Sequence, residues 1–321
     1  MGDELITSSK IFKIIIFKVL FILWIMSKIK KRMPFFKGAA ICMIAKDENL
    51  YIKEFVKHYK NLGFKKIFLY DNNDLNGENF TNVLDSEMTS KFVEITDIRG
   101  KQKHQYIAYN DCYQKHLNNY SWFLLVDTDE FLYIKNNISL NEFLNNPKFK
   151  KCQSISINYK EFGDSDLFFY DNRTVQERFK INFRYIACMK SFVKGGIKRA
   201  IMDIHRPYNI KKFCNSEGKF INPKDYATNE LEIKSAEIRH YITKSLNEFY
   251  KRLIKGWPHV KYNSSDYYYF VDHRIEYFFN LNKITREKFN LLSPLIKSQI
   301  LLNNLIKQLN DSEKLYSKYK Y

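Results

Sequence analysis

Asp127 and Asp129 lie in the stretch Asp127-Thr128-Asp129-Glu130, directly after the wholly apolar run Trp122-Phe123-Leu124-Leu125-Val126. Two carboxylates at i and i+2 on extended chain point the same way, with α-carbons about 6.5 to 7 Å apart, so they can share one hard divalent cation. Mg2+ and Mn2+ take oxygen ligands, keep open positions and bridge to phosphate oxygens, which suits such a pair to a nucleotide diphosphate. A bare D-x-D is weak by itself, and Asp164-Ser165-Asp166 is a second one. The first is raised by its place at the end of an apolar strand, where two unpaired carboxylates would be costly to bury without a cation. Glu130 reads either as an acid supporting the pair or, in preference, as a charge at a helix start.

The elements before this stretch can position it. Ala39 to Ile44 is a continuous apolar run ending in Lys46-Asp47-Glu48-Asn49, the pattern of a short strand covered on both faces. Ile52, Phe55, Val56, Tyr59 and Leu62 then recur at helical spacing, with Gly63 as the stop. Lys66 to Tyr70 is a second strand, Val93 to Thr96 a third, and Gln102 to His116 a helix. Strand, helix and strand within about 30 residues make a right-handed βαβ unit, and ligands of such sheets sit beyond the carboxyl ends of the strands. The clusters Lys46 to Asn49 and Asp71 to Asp74 are at such ends. Lys46 and Glu48 are therefore candidate ligand contacts, and Asp71 and Asn72 either read a nucleobase or ribose or simply form a turn.

The 321 residues suffice for one large α/β domain or two small ones, and 45% hydrophobic with 17% aromatic residues argues against disorder. The net charge of +18 points to an anionic partner. No zinc-finger spacing, RNP-type aromatic motif or arginine-rich arm accompanies it, so specific nucleic-acid binding is not expected. The five cysteines are odd in number and scattered, with no C-x-x-C pair. They read as small buried hydrophobes in a reducing compartment, neither a disulfide framework nor a zinc site.

The chain resembles the GT-A glycosyltransferases of family 92 and related bacterial family-2-like enzymes, from about Ile41 to Gly256. The resemblance runs through I-A-K-D-E-N (Ile44 to Asn49), Glu54, His58 and L-G-F-K-K-I-F-L-Y-D-N-N (Leu62 to Asn73). It continues through Gln105, A-Y-N-D-C (Ala108 to Cys112) and W-F-L-L-V-D-T-D-E-F (Trp122 to Phe131). Downstream come E-F-G-D-S-D (Glu161 to Asp166), E-R-F (Glu177 to Phe179), Lys190-Ser191, R-H-Y-I-T-K-S-L-N-E-F (Arg239 to Phe249) and Lys255-Gly256. Two departures concern the donor and acceptor loops: Asp47 where many relatives have Asn, and Asp164 with Asp166 where small residues are common. The resemblance implies a mostly parallel α/β sheet of the GT-A, Rossmann-like type with helical extensions at both ends. It implies a nucleotide-sugar donor, a glycan or lipid-linked acceptor, a Mn2+ or Mg2+ cofactor and transfer with inversion. Asp127 and Asp129 become metal ligands, Asp127 also a donor contact together with Gln105 and Asn110. His240 is the preferred further metal ligand and His205 its rival. Glu177 is the preferred base, with Asp164 and Asp166 as alternatives.

Three segments follow: residues 1–37, 38–256 as the transferase domain, and 257–321. Residues 1–37 hold eight basic residues against two acidic ones. As a helix, Ile11 to Met26 would be about 24 Å long against a hydrocarbon core of about 30 Å. Its lysines gather within an arc of about 140°, as in a helix lying on an anionic membrane. The expected location is thus peripheral, on the cytoplasmic face of a membrane; packing on the domain and a single-pass signal anchor are the alternatives. Beyond Gly256, Tyr267 to Phe270 reads as core in preference to an acceptor platform, and the chain from about Leu281 reads as helical. Two other functions remain in play: a basic non-catalytic protein binding nucleic acid or membrane, and a metal-dependent nucleotidyltransferase.

Overall fold

Ala39–Ala45 forms strand β1, and its first five residues have no exposed surface at all, as a strand covered on both faces requires. The computed structural model describes residues 36–86, 91–100, 105–181, 183–224, 226–255 and 265–282, besides the isolated positions 17, 18, 20, 21 and 298. The chain divides into two compact units, Met1–Lys37 and Gly38–Tyr321. The reading of residues 1–37 as a membrane-surface helix, and that of a helical stretch after Leu281, fall almost wholly outside the described residues. Among those described, no helix is long and apolar enough to cross a membrane.

After β1, helix α1 (Asn49–Leu62) buries Tyr51, Ile52, Phe55, Val56 and Tyr59 on one face. Gly63 ends it at φ 102°, a left-handed conformation that glycine adopts without a Cβ clash. Strands β2 (Lys66–Asp71) and β3 (Val93–Asp97) follow, then helix α2 (Gln105–His116) and β4 (Trp122–Leu125). β5 (Glu130–Ile134), helix α3 (Leu140–Leu144) and the long strand β6 (Ser154–Phe162) come next. Helix α4 (Val175–Arg178), β7 (Phe183–Lys194), β8 (Phe213–Cys214), β9 (Phe220–Ile221) and β10 (Ala236–His240) lead to helices α5 (Leu246–Lys255) and α6 (Ser265–Leu281).

The strands make one sheet in the order β3-β2-β1-β4-β7-β6-β10-β5, with β8 and β9 attached to β6. β3, β2, β1 and β4 run parallel. β7 is antiparallel to both β4 and β6, while β10 is parallel to β6 and antiparallel to β5. The α/β class with a mostly parallel sheet is therefore present, five of nine pairings being parallel, with an antiparallel extension on the β4 side. The chain steps outward from β1 to β2 and β3, then returns to the other side of β1 with β4. Ligands of such sheets bind beyond the carboxyl ends of the strands at a reversal of this kind, here the ends of β1 and β4.

Two expectations are corrected here. Four of the five cysteines pair, Cys42 with Cys112 and Cys152 with Cys214, their α-carbons 6.0 and 5.9 Å apart; Cys188 is free. The partners lie 70 and 62 residues apart, so only the docking of α2 on β1, and of β8 beside β6, brings them together. In the aromatic stretch, Tyr269 is 76% exposed, on the outer face of α6 and not in the core.

Candidate active site

β4 ends one residue before Val126, and the chain turns: Glu130 N–H donates to Asp127 O at 3.1 Å, and β5 begins at Glu130. Asp127 and Asp129 therefore do not sit on extended chain. The turn separates their carboxylates and brings in Glu130, which starts a strand, not a helix, and is buried. Asp129 is held by Tyr241 N–H, which donates to its carbonyl at 2.9 Å, so the turn is fastened to the end of β10.

Asp127 is half-buried, and three side chains donate to it. Its Oδ1 accepts from Gln105 Nε2 at 2.5 Å and Tyr109 OH at 3.1 Å, one helical turn apart on α2. Its Oδ2 accepts from Lys190 Nζ at 3.0 Å. Lys190 comes from the interior of β7, has no exposed side-chain surface, and also lies 3.2 Å from Glu130 Oε2. Glu130 further accepts from Tyr159 OH at 2.8 Å and from Asp127 N–H at 2.9 Å. Burial alone would raise the Asp127 carboxyl; the Lys190 ammonium outweighs it and holds the group below its ordinary range. Burial raises Glu130, against the same lysine.

Asp129 faces the other side. Its Oδ2 accepts from Arg252 Nη1 of α5 at 2.7 Å, and its Oδ1 lies 3.7 Å from His240 Nε2. His240, at the end of β10, also stands 4.0 Å from Glu130 Oε1, and its Nδ1 stands 3.8 Å from Glu161 Oε1. Burial penalises the Asp129 charge, but Arg252 and His240 overcome it and hold the carboxyl well below the usual range. Burial likewise lowers His240, and Asp129 with Glu161 reverses the sign, pushing the imidazole up to about 10.

One ligand atom each from Asp129, Glu130 and His240 lies within 4.8 Å of the others, all three residues buried. The donor set, two carboxylates and an imidazole, suits a divalent ion of the Mn2+ or Mg2+ type. The geometry fits too. The 3.7 and 4.0 Å gaps around His240 Nε2 are longer than hydrogen bonds, and its buried Nδ1 has no hydrogen-bond partner. Asp127 and His205 are not in this group. His205 Nδ1 is bonded to Met189 O at 2.9 Å, and burial, then Lys190, pushes its imidazole down to about 4.

The remaining candidates divide. Gln105 is joined to the site through Asp127, whereas Asn110 is used up fastening α2 to residue 202, its amide pairing both the N–H and the carbonyl of Met202. Asp71 accepts from Asn73 N–H and Nδ2 and from Phe80 N–H, so it organises the turn after β2. Asn72 N–H donates to Ala45 O, Lys46 pairs with Asp74 at 2.8 Å, and Glu48 lies 3.7 Å from Lys244. Glu177 closes a capping box with Thr174 at the start of α4 and points to solvent. Asp164 is buried just past the end of β6 and accepts from Asp166 N–H, and burial lifts its carboxyl to about 6; Asp166 is exposed at φ 60°.

Tyr109, Tyr159, Glu161, Lys190 and Arg252 receive no role from the sequence alone, although Tyr109, Glu161 and Lys190 lie within the motifs quoted above. A charged residue interrupting an otherwise coverable strand, as Lys190 does between Met189 and Phe192, was the available signal.

The family model described as Glycosyltransferase family 92 matches residues 37–281. A glycosyltransferase family 92 protein of Ricinus communis is 22% identical over 129 residues, 40% of this chain and 23% of that protein. One of Oryza sativa subsp. japonica is 25% identical over 107 residues, 33% of this chain and 18% of that protein. The matched stretches thus span less than a quarter of either relative. Among solved structures, S. aureus TarS 1–349 in complex with UDP-GlcNAc has a TM-score of 0.37 at 9% identity, over 68% of this chain and 65% of that one. The Mn/GDP form of core-mannan synthase A from Aspergillus fumigatus has a TM-score of 0.25 at 13% identity, over 41% and 44%. With more than half of its residues matched, the segments that carry Asp127, Asp129, Glu130 and His240 among them, the chain belongs to glycosyltransferase family 92.

Proposed function

We propose that this glycosyltransferase moves a sugar from a nucleotide-sugar donor to a glycan or lipid-linked acceptor, with inversion, and depends on a divalent cation held by Asp129, Glu130 and His240. The observation that carries the reading is the convergence of those three buried side chains close to Asp127, beyond the end of β4 where the strand order reverses. A Mn2+ or Mg2+ ion bound there supplies positive charge to the departing diphosphate. Gln105, Tyr109 and Lys190 hold Asp127 in one orientation, so it can accept from donor hydroxyls without moving. Asp164 takes the acceptor's proton: it is three residues past Glu161, which stands 3.8 Å from His240, and burial lifts its carboxyl to about 6.

A hydrolysis screen over nucleotide sugars with Mn2+, followed by thermal shift with the matching nucleoside diphosphate, tests the reading. One donor should be turned over and its diphosphate should stabilise the protein only with the cation. Asp129→Asn should abolish both effects while circular dichroism stays unchanged. Metal-stimulated turnover that survives this substitution would refute the assignment.

A further inference from the structure

Arg252 sits where the proposed cation would have to compete. Its Nη1 donates to Asp129 Oδ2 at 2.7 Å and to Ile242 O at 2.9 Å, and both of its hydrogen bonds come from that one nitrogen. Nε and Nη2 have no partner among the described residues. The Arg252 side chain is 43% exposed, while the Asp129 side chain it pairs with is 8% exposed. Arg252 lies one helical turn beyond Glu248, and Glu248 is clamped: it takes two bonds from Arg178, one from Tyr51 OH and one from Ser245 Oγ. The start of α5 is therefore fixed and Arg252 swings only by its own side chain, a long stem with a planar fork.

The charges around Asp129 decide what that side chain does. With the cation bound, a guanidinium still seated on Asp129 would face a double positive charge across one carboxylate. Lys190 cannot yield, being buried between Asp127 and Glu130. Arg252 can, because its side chain is partly exposed and is held to Asp129 through one nitrogen. A diphosphate arriving with the cation brings oxygens that match the unused Nε and Nη2, the two-pronged arrangement in which arginine binds phosphate best.

Resting on the donor reading above, we infer that Arg252 is an exchangeable diphosphate ligand: it occupies Asp129 when the site is empty and transfers to the donor's diphosphate when a cation takes Asp129. Arg252 thereby ties cation and diphosphate binding to each other, since each removes the other's competitor or supplies its partner. This is a coupling between two ligands through one side chain.

The test is calorimetric titration of the full chain with Mn2+ alone, then with UDP and GDP, each with and without Mn2+, for wild type, Arg252→Gln and Arg252→Lys. Arg252→Gln should bind Mn2+ alone more tightly, roughly two- to fivefold, because a partly exposed ion pair no longer competes. The same variant should bind the nucleoside diphosphate in Mn2+ more weakly, roughly 10- to 100-fold, for the loss of charge-assisted bonds. Arg252→Lys, a point charge without the fork, should fall between the two in both titrations, and it carries the test should the glutamine variant fail to fold. Changes of opposite sign support the exchange. Weakening of both ligands together, or an unchanged diphosphate affinity, overturns it and leaves the donor reading intact. Wild-type protein that binds neither Mn2+ nor a nucleoside diphosphate overturns both.

Discussion

At the scale of single residues, Asp164 and Glu177 show how environment sorts two acids of the same chemistry. Glu177 spends its carboxylate on the first turn of α4, where Thr174 N–H and Oγ1 both donate to it, and those bonds hold it below its ordinary range. Asp164 has burial against it and lies at about 6. A general base works ionised, so with Asp164 in that role kcat/KM should rise as pH climbs through about 6 and then level. Asp164→Asn should lower the rate by about 10²–10⁴-fold, remove that rise, and leave nucleoside diphosphate affinity unchanged. Steady-state rates over pH 5 to 8 check this. A large loss in Glu177→Gln with little in Asp164→Asn would return the base to α4.

At the scale of elements, α1, α4 and α5 meet on one buried ion pair. Arg178 and Glu248 have 0% and 4% of their side chains exposed, and Tyr51 of α1 donates to the same carboxylate at 2.5 Å. Glu248 also caps its own helix through Ser245. A buried pair of this kind adds little over a well-packed apolar pair, but breaking it strands a charge. Glu248→Gln should therefore destabilise the protein by about 3–5 kcal/mol, read from denaturant midpoints. A loss below 1 kcal/mol would show that water reaches Arg178 and that α5 is not anchored there.

At the scale of the whole molecule, one disulfide ties the sheet to a helix and the other joins the chain before β6 to its sheet neighbour β8. Cys42–Cys112 ties the central strand β1 to α2, the helix whose Gln105 and Tyr109 hold Asp127. Cys152–Cys214 ties the start of β6 to β8. Closing loops of 70 and 62 residues restricts the unfolded chain by about 4 kcal/mol each in the chain-entropy account. Bonds of this kind persist in oxidising compartments, so protein made in one is expected to carry both. Peptide mapping under non-reducing conditions should recover these two pairs with only Cys188 alkylated, and reduction should lower the melting temperature. Five alkylated cysteines in native protein would remove both cross-links.

The sequence alone determined the parallel half of the sheet, because continuous apolar runs at Ala39 to Ile44 and Trp122 to Val126 have no other economical burial, and Gly63 marks a helix end by its backbone freedom. Local order also singled out Asp127 and Asp129 as a pair at the end of an apolar strand, and the family resemblance added His240. Tertiary structure decided which acids converge: a turn after β4 separates Asp127 from Asp129 and admits Glu130, a choice that depends on Tyr241 fastening the turn from β10. It decided that Asp127 answers to Lys190, 63 residues on, and Asp129 to Arg252, 123 residues on. It decided the cysteine pairs in the same way. Hydrophobic period and backbone preference act over a few residues and are written locally, whereas ion pairs and cross-links depend on which distant elements dock, and no local pattern encodes that.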